Sequence, residues 1–132
     1  MRSMSKYTAR LAGTRAEIEA CQALRYLAFI EARGVAGAGQ GPALDADEFD
    51  ADCRHVMVEE AGTGLLVCCF RMMPLPDGSA IGRSYAAKYY ELSNLESFPG
   101  RMVEMGRFCI RPGWRDPDIL RVAWGAMSRF VE

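Results

Sequence analysis

Three apolar segments with the pattern of β-strands constrain the fold of this 132-residue chain more than any other feature. Residues 54–60 and 65–73 are rich in Val, Leu, Met and Cys, and the Gly-containing turn between them predicts a hairpin. Residues 102–110 form a third apolar run, which ends before Pro112. A short strand at residues 6–12 completes a predicted pattern of four strands.

Two segments with helical start signals alternate with these strands. Thr14 and Glu17 form a capping box for a helix that is expected to run to about Arg33. Pro117 suits the first position of a second helix, which continues to the last residue of the chain. The predicted order of elements is therefore β-α-β-β-β-α.

This order predicts an α/β (α+β) domain in which a mostly antiparallel sheet is flanked by helices, and residues 1–132 form one domain. A short helical turn is expected near residues 92–97. A strand that follows a hairpin and feeds a helix usually has a further strand beside it, so we expect the domain to be incomplete at its C-terminus.

Composition excludes several classes of protein. Half of the residues are hydrophobic and the net charge is -1, which is typical of a globular domain with a real core. No run approaches the roughly 18 apolar residues of a membrane span, and the N-terminus lacks a secretory signal, so we expect a cytoplasmic protein. The five cysteines are odd in number and lie mostly in apolar segments, which predicts reduced core thiols.

Two arginines interrupt apolar patterns. Arg25 lies on the apolar arc of the first helix together with Cys21, and Phe29 follows one turn later. Such an arginine either extends its charge to solvent or is held on the inner face for a ligand or a carboxylate. Arg71 shares a strand face with Cys69, and a buried arginine there needs partners.

The segment ALDADEFDADC, between the first helix and the hairpin, could supply those partners, because it holds five acidic residues. Its spacing lacks the central glycine and the terminal glutamate of a calcium loop. Cys53 and His55 could share a strand face as metal ligands, but two ligands alone are a weak signal. A neutral His55 that is hydrogen-bonded in the core is the simpler interpretation, and no metal is expected.

The strand at residues 102–110 contains two opposite charges, Glu104 and Arg107. In a regular strand, side chains three residues apart point to opposite faces. A bulge of one residue at Gly106 would bring them to the same face and leave backbone N–H groups for a ligand. This predicts either a site for chemistry on a carbonyl or an amine, or an internal salt bridge between the two side chains.

Arginine is also frequent in the last third of the chain, which favours either an anionic ligand or partner, or simply a solvated surface. Nucleic acid is disfavoured because acidic residues are interspersed and no nucleic-acid motif is present. The arginines concerned are Arg101, Arg107, Arg111, Arg115, Arg121 and Arg129.

Taken in order, the residues singled out resemble the recurrent positions of acyl-homoserine lactone (autoinducer) synthases, which are GNAT-fold acyltransferases. The matching positions are Arg25…Phe29, Asp47-Glu-Phe-Asp50, Arg71 and Glu104-x-x-Arg107. ALDADEFDADCRHVMV and EMGRFCIRPGWRD resemble more closely the ornithine N-acyltransferases of ornithine-lipid synthesis. The resemblance covers roughly residues 7–131.

The resemblance implies an N-acyltransferase that moves a 3-hydroxyacyl chain from acyl carrier protein to the amine of ornithine. Glu104 would act as the base, and amides near Gly106 would stabilise the thioester oxyanion. A second set of residues would bind the acceptor, through its carboxylate or its second amine, or would brace the acidic loop. These residues are Arg25, Phe29, Asp47, Asp50, Arg71 and Arg107.

The resemblance also bears on the donor. CoA-dependent GNAT enzymes carry a Gly-rich pyrophosphate loop, whereas the corresponding RPGWRDP segment here has one glycine. That difference favours acyl-phosphopantetheine on acyl carrier protein, with Arg111 and Arg115 facing its acidic surface. No tightly bound cofactor is expected.

The expected location is the cytoplasm or the inner membrane surface. The product could associate peripherally with the membrane, and the protein could form a dimer. Two alternatives remain at this point. One is an acyl-homoserine lactone synthase that uses S-adenosylmethionine as the acceptor. The other is a non-catalytic module that binds acyl carrier protein.

Overall fold

The computed structural model describes residues 6–32 and 44–131. Within this part of the chain, four antiparallel strands form one sheet in the order β1-β2-β3-β4. The strands are β1 (Tyr7–Leu11), β2 (Arg54–Glu60), β3 (Leu66–Leu75) and β4 (Met102–Ile110). The helices are α1 (Arg15–Ala32) and α2 (Pro117–Val131).

The predicted order of elements and the hairpin between β2 and β3 are confirmed. β3 extends two residues beyond the prediction, through Pro74, because β4 pairs with it over that length. The pairing of β2 with β3 ends at Met72, so Pro74 lies where one side of the strand has no partner in the described residues. A proline, which has no N–H group, is tolerated at such a position.

The helix starts follow the sequence signals. The Thr14 hydroxyl accepts a hydrogen bond from the Glu17 N–H at 3.1 Å, and the Glu17 carboxylate accepts the Gly13 N–H at 2.7 Å. This is the reciprocal arrangement of a capping box, except that the Glu17 carboxylate binds the N–H of Gly13 instead of the N–H of Thr14. Pro117 begins α2 as predicted, whereas the predicted end of α1 at about Arg33 lies outside the described residues.

Short 3₁₀ turns occupy the connection between β3 and β4. The predicted turn is confirmed at Ser93–Leu95. Two further turns, Gly78–Arg83 and Ala86–Lys88, have no strong sequence signal and were not predicted. The second of these turns matters for the site, because it places Tyr85 next to β4.

The two helices cover opposite faces of the sheet. On the α2 face, the helix buries Ile119 and Ala123 against strand residues such as Val56 and Phe70, all at most 1% exposed. On the α1 face, the apolar core is smaller and rich in cysteine, with Cys21, Leu24, Met57, Leu66, Cys69 and Cys109. The five cysteines are free thiols, as predicted.

Strand β4 contains the predicted bulge. Gly106 pairs with Arg71, and Cys109 pairs with Cys69, so two residues of β4, Arg107 and Phe108, lie opposite a single residue of β3. Phe108 stacks on Phe70 on the α2 face, while the Arg107 side chain lies on the α1 face. The residue with a left-handed backbone is Arg107, with φ of 52°, rather than Gly106.

Candidate active site

The acidic loop packs three carboxylates against two buried guanidiniums on the α1 face. Arg25 is 1% exposed, and its Nε donates to Asp45 Oδ2 at 3.0 Å. Its Nη1 and Nη2 donate to the two carboxylate oxygens of Asp50 at 3.0 and 2.8 Å, and Nη2 also donates to the Asp45 carbonyl. Of the two interpretations of Arg25, the structure therefore shows an arginine held on the inner face by carboxylates.

Arg71 completes this group, which we call the ion-pair cluster (Arg25, Arg71, Asp45, Asp47 and Asp50). Arg71 is 4% exposed and forms a bidentate pair with Asp47, through Nη1 to Oδ1 at 2.6 Å and Nη2 to Oδ2 at 3.0 Å. Its Nη1 also donates to Asp50 Oδ1 at 2.9 Å. Asp50 thus bridges both arginines, and the bidentate geometry is the one that a guanidinium favours.

The electrostatics of Asp50 follow from these contacts. Burial favours its neutral form, but hydrogen bonds from Arg25, Gln22 and Arg71 outweigh that effect, so its pKa lies well below the usual range. Asp47 shows the same balance between burial and the Arg71 pair, and its pKa is also lowered. Both carboxylates are therefore ionised at neutral pH.

The hydrogen-bonded interpretation of His55 agrees with the structure. His55 is 3% exposed, and its Nε2 donates to the Asp50 carbonyl at 3.0 Å. Burial raises the pKa of Cys53 to about 11, which disfavours the thiolate that a metal would need. Across residues 6–32 and 44–131, no group of three His, Cys, Asp or Glu side chains is placed to hold a metal ion.

Arg107 is bound far less completely than the two arginines of the cluster. Its Nη2 lies 3.4 Å from Asp47 Oδ2, and its Nε lies 3.5 Å from Asp45 Oδ2 without forming a hydrogen bond within the described structure. The guanidinium sits 5.9 Å from the ring centre of Phe29 and 5.4 Å from that of Tyr85. Its left-handed backbone is costly for a side chain with a Cβ, by about 1–2 kcal/mol.

Glu104 connects β4 to the turn at Ala86–Lys88. Its two carboxylate oxygens accept the N–H groups of Tyr85 and Ala86 at 2.7 and 2.8 Å. A carboxylate offers about four acceptor positions, so these two bonds leave it further capacity. The side chain therefore both fixes the position of Tyr85 and retains lone pairs for another group.

A cavity of about 260 Å³ lies at the bulge, between the ion-pair cluster and this turn. Its volume suits a small molecule of amino-acid size. Its walls combine both charges with aromatic and sulfur-containing side chains, from Phe49, Cys53, Arg71, Met73, Tyr85, Ala86, Glu104, Met105, Gly106 and Arg107. The bulge has thus brought Glu104 and Arg107 to one face, as predicted.

Four of the predicted site residues line the cavity, namely Arg71, Glu104, Gly106 and Arg107. Arg25, Asp47 and Asp50 belong to the adjoining ion-pair cluster, and Phe29 lies against the Arg107 guanidinium. Arg111 and Arg115, which were expected to face the carrier protein, lie away from the cavity. Arg111 donates from Nε to the Leu66 carbonyl at 2.7 Å, which fixes it to the start of β3, and Arg115 is exposed. Sequence reasoning missed the site roles of Gln22 and Tyr85. Gln22 lies one helical turn before Arg25, which was an available signal, whereas nothing local marks Tyr85.

Comparison with known proteins identifies the family. The sequence profile described as an acetyltransferase (GNAT) domain matches residues 24–125, and the chain belongs to this family. The antiparallel sheet with flanking helices described above is consistent with this family.

Individual proteins similar to this chain narrow the comparison further than the family does. The chain is 32% identical to an L-ornithine N(alpha)-acyltransferase of Rhodobacter capsulatus, over 95% of this chain and 51% of that protein. It is 31% identical to an L-ornithine N(alpha)-acyltransferase of Brucella abortus, over 87% of this chain and 44% of that protein. The chain therefore spans about half the length of the curated relatives that it matches.

Two solved structures share the fold. The AHL synthase LasI aligns with a TM-score of 0.63 and 18% identity, covering 96% of this chain and 66% of that one. TofI, solved in a ternary complex with an inhibitor and MTA, aligns with a TM-score of 0.58 and 22% identity, covering 95% of this chain and 67% of that one. Within the described residues, no helix is long and apolar enough to span a membrane.

Proposed function

We propose that this chain forms part of an N-acyltransferase that transfers a 3-hydroxyacyl chain from acyl carrier protein to the amine of ornithine. The observation that carries the proposal is the 32% identity, over 95% of the chain, to an L-ornithine N(alpha)-acyltransferase. The cavity at the β4 bulge supports it, because a carboxylate, guanidiniums and a strand backbone surround a space of suitable size.

The chemistry requires a base. The acceptor amine is mostly protonated at neutral pH and becomes a nucleophile only after it loses a proton. Glu104 is the proposed base, acting directly or through a water molecule, since its carboxylate lines the cavity and keeps free lone pairs. The neutral amine then attacks the thioester carbonyl, and the amide and the carrier-protein thiol are the products.

The tetrahedral oxyanion that forms during this attack also needs hydrogen-bond donors. The bulge leaves one extra residue of β4 without a partner in the register with β3, at the wall of the cavity. Backbone N–H groups of this strand near Gly106 are the proposed donors. No covalent enzyme intermediate is needed, and the buried Cys109 is part of the core.

The proposed donor is acyl carrier protein rather than CoA. In the connection between β4 and α2, Gly113 takes a left-handed conformation, with φ of 88°, but there is no glycine-rich cradle for a pyrophosphate. Arg115, which is exposed, is proposed to meet an acidic carrier surface together with Arg111. The proposed location is the cytoplasm or the inner membrane surface.

The decisive experiment is mass spectrometry of the product. The intact protein that carries this chain is incubated with 3-hydroxyacyl-acyl carrier protein and either ornithine or S-adenosylmethionine. Acyl-ornithine together with release of the carrier thiol supports the proposal. An acyl lactone from S-adenosylmethionine would replace it with the autoinducer synthase, and carrier binding without thiol release would leave a binding module.

The donor is tested in the same assay. We expect kcat/KM for acyl-CoA to be at least tenfold below that for the acyl carrier protein thioester. Association with the carrier should weaken as salt rises, because charge steering is screened over about 10 Å at 0.1 M ionic strength. Equal use of both thioesters would contradict the assignment of the donor.

A further inference from the structure

The three arginines of the α1 face differ in how many of their N–H groups are already used. Arg25 donates four hydrogen bonds and Arg71 donates three, all to the acidic loop. Arg107 donates one long bond, and its buried Nε has no hydrogen-bond partner in the part of the chain that the structure describes. A guanidinium has five donors, so Arg107 keeps most of its capacity.

Arg107 also has structural features that an arginine serving only to hold the acidic loop would not require. Phe29 and Tyr85 flank its guanidinium, which restricts its movement and leaves its N–H edge for a ligand. Its backbone is left-handed, a strained conformation that persists where surrounding structure enforces it and that clusters at ligand sites. The side chain is 28% exposed and lines the cavity, whereas Arg25 is fully buried within the cluster.

The charges around the cavity define the kind of ligand. The ion-pair cluster together with Arg107 and Glu104 contains three guanidiniums and four carboxylates, so the assembly carries one net negative charge. An amino acid with a cationic side chain has a net charge of +1 at neutral pH, including one carboxylate. Such a molecule balances the site, whereas an acidic amino acid would double its negative charge.

From these observations we infer that Arg107 binds the α-carboxylate of a cationic amino-acid acceptor, while Arg25 and Arg71 serve to order the acidic loop. The inference rests on the proposed function, since it specifies how the acceptor is recognised. In this arrangement the carboxylate approaches the donors that Arg107 has to spare. The acceptor's amine then lies toward Glu104 in the same cavity.

The test compares ornithine with 1,4-diaminobutane, which is ornithine without its carboxylate. Arg107→Asn removes the guanidinium and places a residue that tolerates the left-handed backbone. Arg107→Lys keeps the charge but loses the planar pair of donors. Arg121→Gln is the matched control, because Arg121 is an exposed arginine on α2 that pairs with Asp118 outside the cavity.

For Arg107→Asn we expect the KM for ornithine to rise by about 10- to 100-fold, with less than a threefold change in KM for 1,4-diaminobutane and for the donor. Arg107→Lys should recover part of the ornithine affinity. Arg121→Gln should leave all three values unchanged. Equal changes for both acceptors, or no change for ornithine, would overturn the inference.

Binding measurements separate this inference from the proposed reaction. Isothermal titration calorimetry of ornithine and 1,4-diaminobutane reports acceptor binding without turnover, and thermal unfolding confirms that each variant is folded. Ornithine binding that depends on Arg107 in a protein without acyl transfer would refute the reaction and keep the subsite. Acyl transfer to ornithine that is insensitive to Arg107 would keep the reaction and refute the subsite.

Discussion

The two faces of the sheet are buried by different physical means. On the α2 face, the stabilising contacts are apolar, with Ile119, Ala123 and Ala126 at most 1% exposed. On the α1 face, the apolar core is smaller, and the ion-pair cluster lies beside it. The same strands therefore contribute a hydrophobic core to one side and a polar network to the other.

This difference determines how each face responds to change. Apolar contacts are non-directional and roughly proportional to buried area, so small losses have small effects. In the polar network, the removal of one member leaves its partner charged, buried and unpaired. We therefore expect graded effects on the α2 face and abrupt effects on the α1 face, where the candidate site lies.

The largest effect is expected from Asp50→Ala. Asp50 is 7% exposed and contacts both buried arginines, so its removal should lower the free energy of unfolding by about 3–5 kcal/mol. Chemical denaturation measures this. Asp52→Ala, an exposed position in the same turn, is the control and should change stability by less than about 0.5 kcal/mol. Equal losses for the two variants would show that the network is not what distinguishes this face.

The second-largest effect is expected on turnover. Glu104→Gln should lower kcat about 100-fold, equivalent to about 2.7 kcal/mol, because the amide cannot accept the proton of the acceptor amine. The amide also loses one of the two acceptor oxygens that bind Tyr85 and Ala86, so folding must be checked by thermal unfolding. The pH dependence of kcat/KM separates the two roles. A base gives a rising limb that the variant lacks, whereas a purely structural Glu104 leaves the profile unchanged in shape.

In the unmodified protein, acid should weaken the ion-pair cluster of the α1 face and leave the apolar contacts of the α2 face unchanged. Asp47 and Asp50 have lowered pKa values, so their contribution to stability is complete above the unfolded value near 4 and is lost as pH falls through the folded values. We expect unfolding free energy to fall by about 2 kcal/mol between pH 5 and pH 2, measured by denaturation in urea. Asp50→Asn should flatten this dependence, and an unaltered slope would place the acid sensitivity elsewhere.

A graded effect is expected on the α2 face. Ile119→Val removes one methylene from a fully buried side chain and should cost about 0.5–1.5 kcal/mol. Arg71→Lys on the α1 face keeps the positive charge but loses the bidentate pair with Asp47, and it should cost more. A smaller loss for Arg71→Lys than for Ile119→Val in the same denaturation series would reverse the comparison.

The smallest effect is expected outside both faces. Arg15 is 94% exposed at its side chain and pairs with Glu19 one turn along α1. Arg15→Ala should change stability by less than about 0.5 kcal/mol, because exposed ion pairs are screened by solvent. Thermal unfolding in low and high salt measures this, and a salt-dependent loss above 1 kcal/mol would assign the surface charges a larger role.

The sequence by itself determined much of the fold. Apolar segments placed β2 and β4, and the capping box at Thr14 and the first-position Pro117 placed the starts of both helices. Charges inside apolar patterns marked Arg25 and Arg71 as residues that need partners. These properties are local, because they depend on spacing along one segment of chain.

Only the tertiary structure decided which charges pair and which remain free. Spacing along the chain predicts that a buried arginine needs a carboxylate, but it does not say that Asp50 serves two arginines or that Glu104 binds the backbone at Tyr85. It predicted a bulge at Gly106, but it did not indicate that Arg107 would take the left-handed backbone. Partner choice depends on distances of a few ångströms between segments remote in sequence, and folding alone brings those segments together.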